Sequence, residues 1–370
     1  MYGYPYMLFD PLPKTNKKDL YNRESELIRF KDSLEYSSLI VIHGLRRTGK
    51  TSFMNVALRE SSHPFIILDM RGLPFNPSQS DLLRRIEVAF NQLEEKWFSQ
   101  LQAALRRIKG VSVLGSSISL DWSKEGVDLS SLFDRLNSWA KEKNTKFLLA
   151  FDEIQLIRGD KGIIRLFAHI IDYNQKICII VTGSEIGLLF DFLGIDDPES
   201  PLYGRHFTEI RMNNFNETQS RDFLTTGFKQ IGIDPPEEVI EYAVSRLNGT
   251  VGWLTLFGAR CRDEREATKT LVDEVVSEGG RLARSEASKV ARYSKRYSVI
   301  LNYLASSKKA TWTQIKSILE ARENRSLTNS AVSELLNKLV KASLVEKNNE
   351  YFLSEPLLEA GLVEKPLPEK

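Results

Sequence analysis

At 370 residues the chain exceeds the ordinary size of one domain and calls for two or three. Apolar residues at 42% and charged residues at 27% exclude a disordered chain, and a net charge of +2 is too small to make the whole molecule a nucleic-acid binder. Only Cys178 and Cys261 are present, far apart and without paired spacing, which argues against a disulfide framework.

The first twenty residues lack a basic stretch followed by an apolar one. The longest apolar runs are interrupted by Asp152, Glu153 and Glu185, so a soluble, cytoplasmic protein with no membrane segment is expected. In chain order, 37–43 reads as a short buried strand ending at a glycine, and 50–60 as a helix. Further apolar runs at 65–70, 146–151 and 177–182 are each separated by segments with helical spacing. That alternation predicts an α/β fold with a parallel sheet covered on both faces.

A long amphipathic segment from Ser80 to about Ile108 precedes an alternating stretch, in which Val111, Val113, Ile118, Leu120 and Trp122 share a face around a Gly-Ser turn. The pattern predicts a β-hairpin at about 111–122 inserted into the core. Strand signals stop after Arg211. Residues 216 to about 295 carry helical periodicity broken at Asp234-Pro235-Pro236 and at Asn248-Gly249, as expected of a helical lid. Helices at 298–305, 312–321 and 328–341, then two strands about Asn348-Asn349, make a winged-helix pattern. The expected organisation is a core at 1–213, a lid at 214–294 and a winged helix at 295–370.

Gly44-Leu45-Arg46-Arg47-Thr48-Gly49-Lys50-Thr51 matches GxxxxGK[ST], with Ser52 following, and lies between a predicted strand and a predicted helix. The glycines let backbone N–H groups curl around phosphate oxygens, and the helix N-terminus adds partial positive charge. Lys50 is expected to reach the β- and γ-phosphates of a nucleotide, and the Thr51 hydroxyl to ligate Mg²⁺. A buried strand ends in Asp152-Glu153, as a Walker B strand presents its carboxylates. Asp152 would orient the metal and Glu153 would act as general base, although an acidic pair after a strand also serves as a helix cap. The next strand ends in Thr182-Gly183-Ser184, where a hydroxyl can sense the γ-phosphate or cap the next helix; Ser184 is the first choice and Thr182 the second. Arg205, on a loop before another β-like stretch, can neutralise charge on the γ-phosphate of its own or a neighbour's site. Asn16-Lys17-Lys18-Asp19 fits NKxD but follows no buried strand, and the four histidines show no ligand spacing.

Taken in order, GLRRTGKT, FLLAFDE, VTGS and PLYGR resemble the archaeal-type ATPases of the STAND group, relatives of AAA+ and Orc/Cdc6-like proteins, over nearly the whole chain. The resemblance implies a sheet of order 5-1-4-3-2, ATP or ADP with Mg²⁺ between core and lid, and different domain arrangements in the two nucleotide states. It places Arg23, in an element similar to the family's xREKEL, near the adenine, and makes Arg205 the leading arginine candidate. Asn248 to Leu254 stands where relatives carry a Gly-x-Pro element touching the nucleotide, here without the proline.

For the output module, Arg281, Arg284, Lys289, Arg292, Lys295 and Arg296 surround one acid, Glu286, so the stretch 281–296 suits contact with phosphates. Three functions are open: a slow ATPase switch with a protein partner, an ATP-controlled DNA-binding regulator, and a nucleotide-binding module without significant turnover.

Overall fold

The computed structural model describes residues 7–74, 76–114, 117–121, 128–157 and 162–369. Helix α1 (Glu24–Tyr36) leads into β1 (Leu39–His43), α2 (Lys50–Glu60), β2 (Phe65–Asp69), α3 (Gln79–Phe90), α4 (Glu95–Leu105) and the strands β3 (Val111–Leu114) and β4 (Ser117–Leu120). Next come α5 (Leu129–Glu142), β5 (Phe147–Asp152), α6 (Gly162–Tyr173), β6 (Ile177–Gly183), α7 (Ile186–Leu193) and β7 (Thr208–Arg211). Strands β1, β2, β5, β6 and β7 form one sheet in the order β2-β5-β6-β1-β7, parallel at every pairing. In chain order of those five strands this is the expected 5-1-4-3-2 arrangement. Every residue of β1, β5 and β6 is buried, as a sheet covered on both faces requires, whereas the edge strands β2 and β7 alternate.

One expectation is corrected. The segment Ser80 to Ile108 is two helices rather than one, separated at Asn91 to Glu94. Asn91 caps the first helix, and its side chain pairs with the hairpin: its Nδ2 donates to the Ile118 carbonyl at 2.9 Å, and its Oδ1 accepts from the Ile118 amide at 2.7 Å. The hairpin pairs Val111 with Leu120 and Val113 with Ile118, which puts these four on one face. The Gly115-Ser116 turn and Trp122 lie outside the described residues.

Helices α8 (Glu217–Ile231), α9 (Glu237–Leu247), α10 (Val251–Glu264) and α11 (Lys269–Ala291) follow, with breaks at the predicted Pro-Pro and Asn-Gly positions. Trp253, Phe257, Phe223 and Phe228 fill their shared core, which also takes Leu357 from the C-terminal region. The C-terminal part holds α12 (Lys295–Ser307), β8 (Lys309–Ala310), α13 (Trp312–Glu323), α14 (Asn329–Lys341), β9 (Val345–Asn348), β10 (Glu350–Leu353) and α15 (Pro356–Glu364). Its three strands pair in the order β8-β10-β9, a winged helix. Neither β8 nor α15 is legible in the periodicity. Helix α15 packs along α11 at backbone distance: a Cβ at Gly361 would stand 2.1 Å from the Gly280 carbonyl oxygen, so only glycine fits this contact. Both cysteines are free and buried. No helix among the described residues is long and apolar enough to cross a membrane.

Candidate functional site

The loop between β1 and α2 opens at the carboxyl edge of the sheet. Gly49 caps α2 at φ +88, a conformation glycine adopts without steric cost. Lys50 starts the helix and is only 6% exposed; its Nζ donates to the carbonyls of Gly44 at 3.0 Å and Leu45 at 2.8 Å. Burial draws its pKa down to about 8, against the opposing charges of Glu153 and Asp152.

Asp152 ends β5 beside it, 2% exposed. Its carboxylate accepts from the Thr182 hydroxyl at 2.6 Å and from the Thr51 hydroxyl at 3.1 Å, while Arg71 Nη2 lies 3.4 Å away. Burial raises the Asp152 pKa, with the neighbouring Glu153 adding to the shift and the Thr182, Arg71 and Thr51 groups opposing it. Glu153 turns away from the strand through a positive φ of 56°, and its amide donates to Thr182 Oγ1 at 3.0 Å. Its Oε2 accepts from Gln155 Nε2 at 2.6 Å, Ser184 Oγ at 2.8 Å and the Ser184 amide at 3.1 Å. Burial works against its ionisation. Lys50 and these hydrogen bonds outweigh that cost, and the pKa stays below the ordinary carboxylate value. The two hydroxyls weighed against each other in the sequence therefore both belong to the centre: Thr182 serves Asp152, and Ser184 serves Glu153.

A cavity of about 410 Å³ opens beside the loop, lined by Thr48, Gly49, Ser52, Arg47, Arg23, Arg71 and the lid residues Val251 and Gly252. Arg23 is buried there, with Nη2 donating to the carbonyls of Asn213 at 2.7 Å and Thr48 at 3.4 Å, and its head lies 5.0 Å from the Phe215 ring. An N-terminal strap also faces the cavity; the Lys14 amide donates to Ser52 Oγ at 3.0 Å. Though the lid lacks the expected proline, it touches the loop, because the Gly252 amide donates to the Arg47 carbonyl at 3.0 Å.

The two arginines of the loop point elsewhere. Arg46 lies 2.8 Å from Glu286 of α11 and 3.4 Å from Glu185. Arg47 stacks over the Trp253 ring with 3.8 Å to the centroid, and Trp253 Nε1 donates at 2.7 Å to Glu355, at the entry of α15. Burial lowers the pKa of Arg47 and raises that of Glu355. Arg205 is not brought to its own chain's loop. It precedes β7 at the end of the sheet where the strands begin, held by Asp172 of α6 and by the Pro201 carbonyl at 2.7 Å.

The basic stretch 281–296 is partly spent on internal contacts. Arg284 donates to the Lys365 carbonyl at 2.5 Å, Arg296 pairs with Glu323 at 2.5 Å, and Glu286 takes Arg46. Arg281, Lys289, Arg292 and Lys295 stay exposed. Helix α14 meets the core at its C-terminal end, where Lys341 pairs with Asp191 of α7 at 2.8 Å and Ser343 Oγ accepts from the Ile186 amide at 3.0 Å.

Sequence reasoning missed Arg71, Gln155 and Glu355, and it named Glu286 and the lid element holding Trp253 without their contacts to the loop arginines. Gln155 follows the carboxylate pair by two positions and Arg71 follows a strand end, weak signals at best; Glu355 carries no local sign.

The arrangement fits a nucleotide with a divalent metal: a glycine-bent loop, a buried lysine, and a hydroxyl and a carboxylate side by side at the mouth of a cavity. A phosphate loop between β1 and α2, faced by carboxylates on a parallel strand one removed from β1, defines the P-loop NTPase fold. The chain belongs to the ATPase domain family found predominantly in Archaea, which residues 20–257 match. Residues 290–353 match the C-terminal winged helix-turn-helix domain of MCM proteins. The Walker-type ATPase PABY2304 of Pyrococcus abyssi is 32% identical, with a TM-score of 0.83 over 96% of this chain and 100% of that one. The ORC2 protein of Aeropyrum pernix, solved as ADPNP–ADP complexes, shares the fold at 13% identity and a TM-score of 0.63 over 96% of this chain and 95% of that one. No curated protein matches the sequence.

Proposed function

We propose that the protein is a Mg²⁺-dependent ATP-binding and hydrolysing switch of the STAND type, in which the nucleotide state sets the position of the winged helix relative to the core. The observation that carries this reading is the double engagement of the phosphate loop. Arg46 and Arg47 flank the backbone that would cradle phosphates, yet their heads rest on Glu286 of α11, which leads into the winged helix, and on Trp253 of α10, which bonds Glu355 at the entry of α15. A ligand moves a conformational balance only through contacts that differ between two states, and a loop bonded to both sides supplies such contacts.

Thr51 and Asp152 would hold the metal, which supplies charge neutralisation at the phosphates. Lys50, now bonded to the loop's own carbonyls, has a cation to give to phosphate oxygens. Glu153, ionised and held by Ser184 and Gln155, is in the state a general base requires. Arg23 borders the base end of the cavity. For Arg205 the neighbour's site is the one proposed, since its own loop lies at the other edge of the sheet.

Glu153→Gln should leave ATP binding intact and lower turnover by about a hundredfold or more. Bound nucleotide after gel filtration and steady-state phosphate release check both halves. Turnover at the wild-type rate removes the general base; no turnover in wild type with intact binding favours a binding module instead. A DNA-controlled reading is favoured by one specific observation, the exposed Arg281, Lys289, Arg292 and Lys295 beside a winged helix similar to that of MCM proteins. It requires duplex binding that weakens steeply with salt.

A further inference from the structure

We propose that Arg71 is a phosphate-binding residue of the nucleotide site, contacting the α- and β-phosphates common to ADP and ATP; the inference rests on the nucleotide-binding reading above. Arg71 follows β2, the strand next to β5, so its guanidinium reaches the centre from the side opposite β6, Ser184 and the Glu153 network. Asp69 anchors it through 2.8 Å contacts to Nε and Nη2, and Nη2 also stands 3.4 Å from Asp152.

Four basic residues line the 410 Å³ cavity: Lys14, Arg23, Arg47 and Arg71. Three are committed to other work. Lys14 Nζ donates to the carbonyls of Met7 and Asp10, Arg23 to those of Asn213 and Thr48, and Arg47 lies flat on Trp253. Arg71 alone of the four pairs with the carboxylate that would hold the metal; Asp69 holds its Nε and Nη2, and its side chain is 57% exposed at the cavity. It borders the cavity together with Gly49 and Ser52, the part of the loop that cradles the inner phosphates, whereas Lys50 is not part of that lining. When a divalent cation takes Asp152, the guanidinium loses its partner there, and a phosphate offers the bidentate acceptor that arginine prefers.

A purely structural Arg71, present only to neutralise Asp152, makes a different prediction. Titration calorimetry of wild type, Arg71→Ala and Arg71→Lys with Mg-ADP and with Mg-ATP separates the two. The expected result is a loss of about tenfold in affinity for both nucleotides in Arg71→Ala, with a smaller loss in Arg71→Lys. Affinity within twofold of wild type, with a lowered melting temperature of the free protein, overturns the proposal in favour of the structural role. A loss confined to ATP overturns the assignment to the shared phosphates. Should Arg71→Ala fail to fold, Arg71→Gln is read by the same criteria. Wild type that takes up neither nucleotide refutes the nucleotide-binding reading itself, a result distinct from equal binding by wild type and variant.

Discussion

The two flanks of the phosphate loop are built by different means. On the β5–β6 side, Lys50, Thr51, Asp152, Glu153, Thr182 and Ser184 meet because each sits at the start of a helix or at or just past the end of a strand, and parallel pairing brings those ends to one edge. On the other side, Arg46 meets Glu286 of α11, and Arg47 meets Trp253 of α10, which in turn bonds Glu355 at the cap of α15, all far along the chain. The first flank is chemistry placed by secondary structure; the second is docking, placed by how helices happen to meet. A motif can encode the first and has no means of encoding the second.

The sharpest way to test the contrast is to remove the centre of the first flank. Lys50→Ala should weaken ATP binding by more than about a hundredfold, since it deletes a buried cation aimed at phosphates, while the second flank keeps the protein folded. Calorimetry and a melting curve together decide it; a melting loss without a binding loss would break the comparison.

A smaller effect comes from pH. Lys50 titrates near 8 in the free protein against 10.5 when solvated, so burial of its charge destabilises the fold below pH 8, and that penalty is relieved as pH rises from about 8 toward 10.5. Phosphates stabilise the ammonium and raise its pKa, so nucleotide affinity should be flat below about pH 8 and fall by up to about tenfold per pH unit above it. Proton uptake on binding at pH 8.5 to 9, read from calorimetry in buffers of different ionisation enthalpy, checks the sign. Affinity that is constant through pH 9.5 would mean that Lys50 is not the responding group.

The least effect is expected at the second flank. In a double-mutant cycle, Arg46→Ala with Glu286→Ala should show a coupling below about 1 kcal/mol in the free protein, because both side chains are partly exposed, at 42% and 32%. The same cycle measured on nucleotide affinity sharpens the comparison: a coupling that differs between free and bound protein is what a switch requires.

These contrasts also explain what was readable beforehand. The phosphate loop, the two carboxylates and the winged helix announce themselves through buried runs, fixed spacing and turn residues, the sheet order only through the family resemblance, and all take the expected places in the fold. Thr182 and Ser184 were legible as a pair but not in their division of labour, which depends on Glu153 turning through a positive φ. For Arg205 the sequence left its own and a neighbour's site open; in a parallel sheet a loop that precedes a strand lies at the edge away from the phosphate loop, which removes its own site. Arg71 was invisible because an arginine after a strand is ordinary, and its meaning comes from β2 lying next to β5. The split at Asn91 was hidden because a side chain that pairs with a distant backbone leaves the local apolar spacing intact.

The glycine contact between α11 and α15 has a mechanical consequence. Two backbones meeting at Gly280 and Gly361 leave no room for a side chain between α11 and α15, and Leu357 of α15 enters the four-helix core. At 23 residues, α11 is about 34 Å long, and a tilt of ten degrees at one end would sweep the other by about 6 Å. Under the proposed switch, loosening the contacts of Arg46 and Arg47 is expected to move α11 and α15 together.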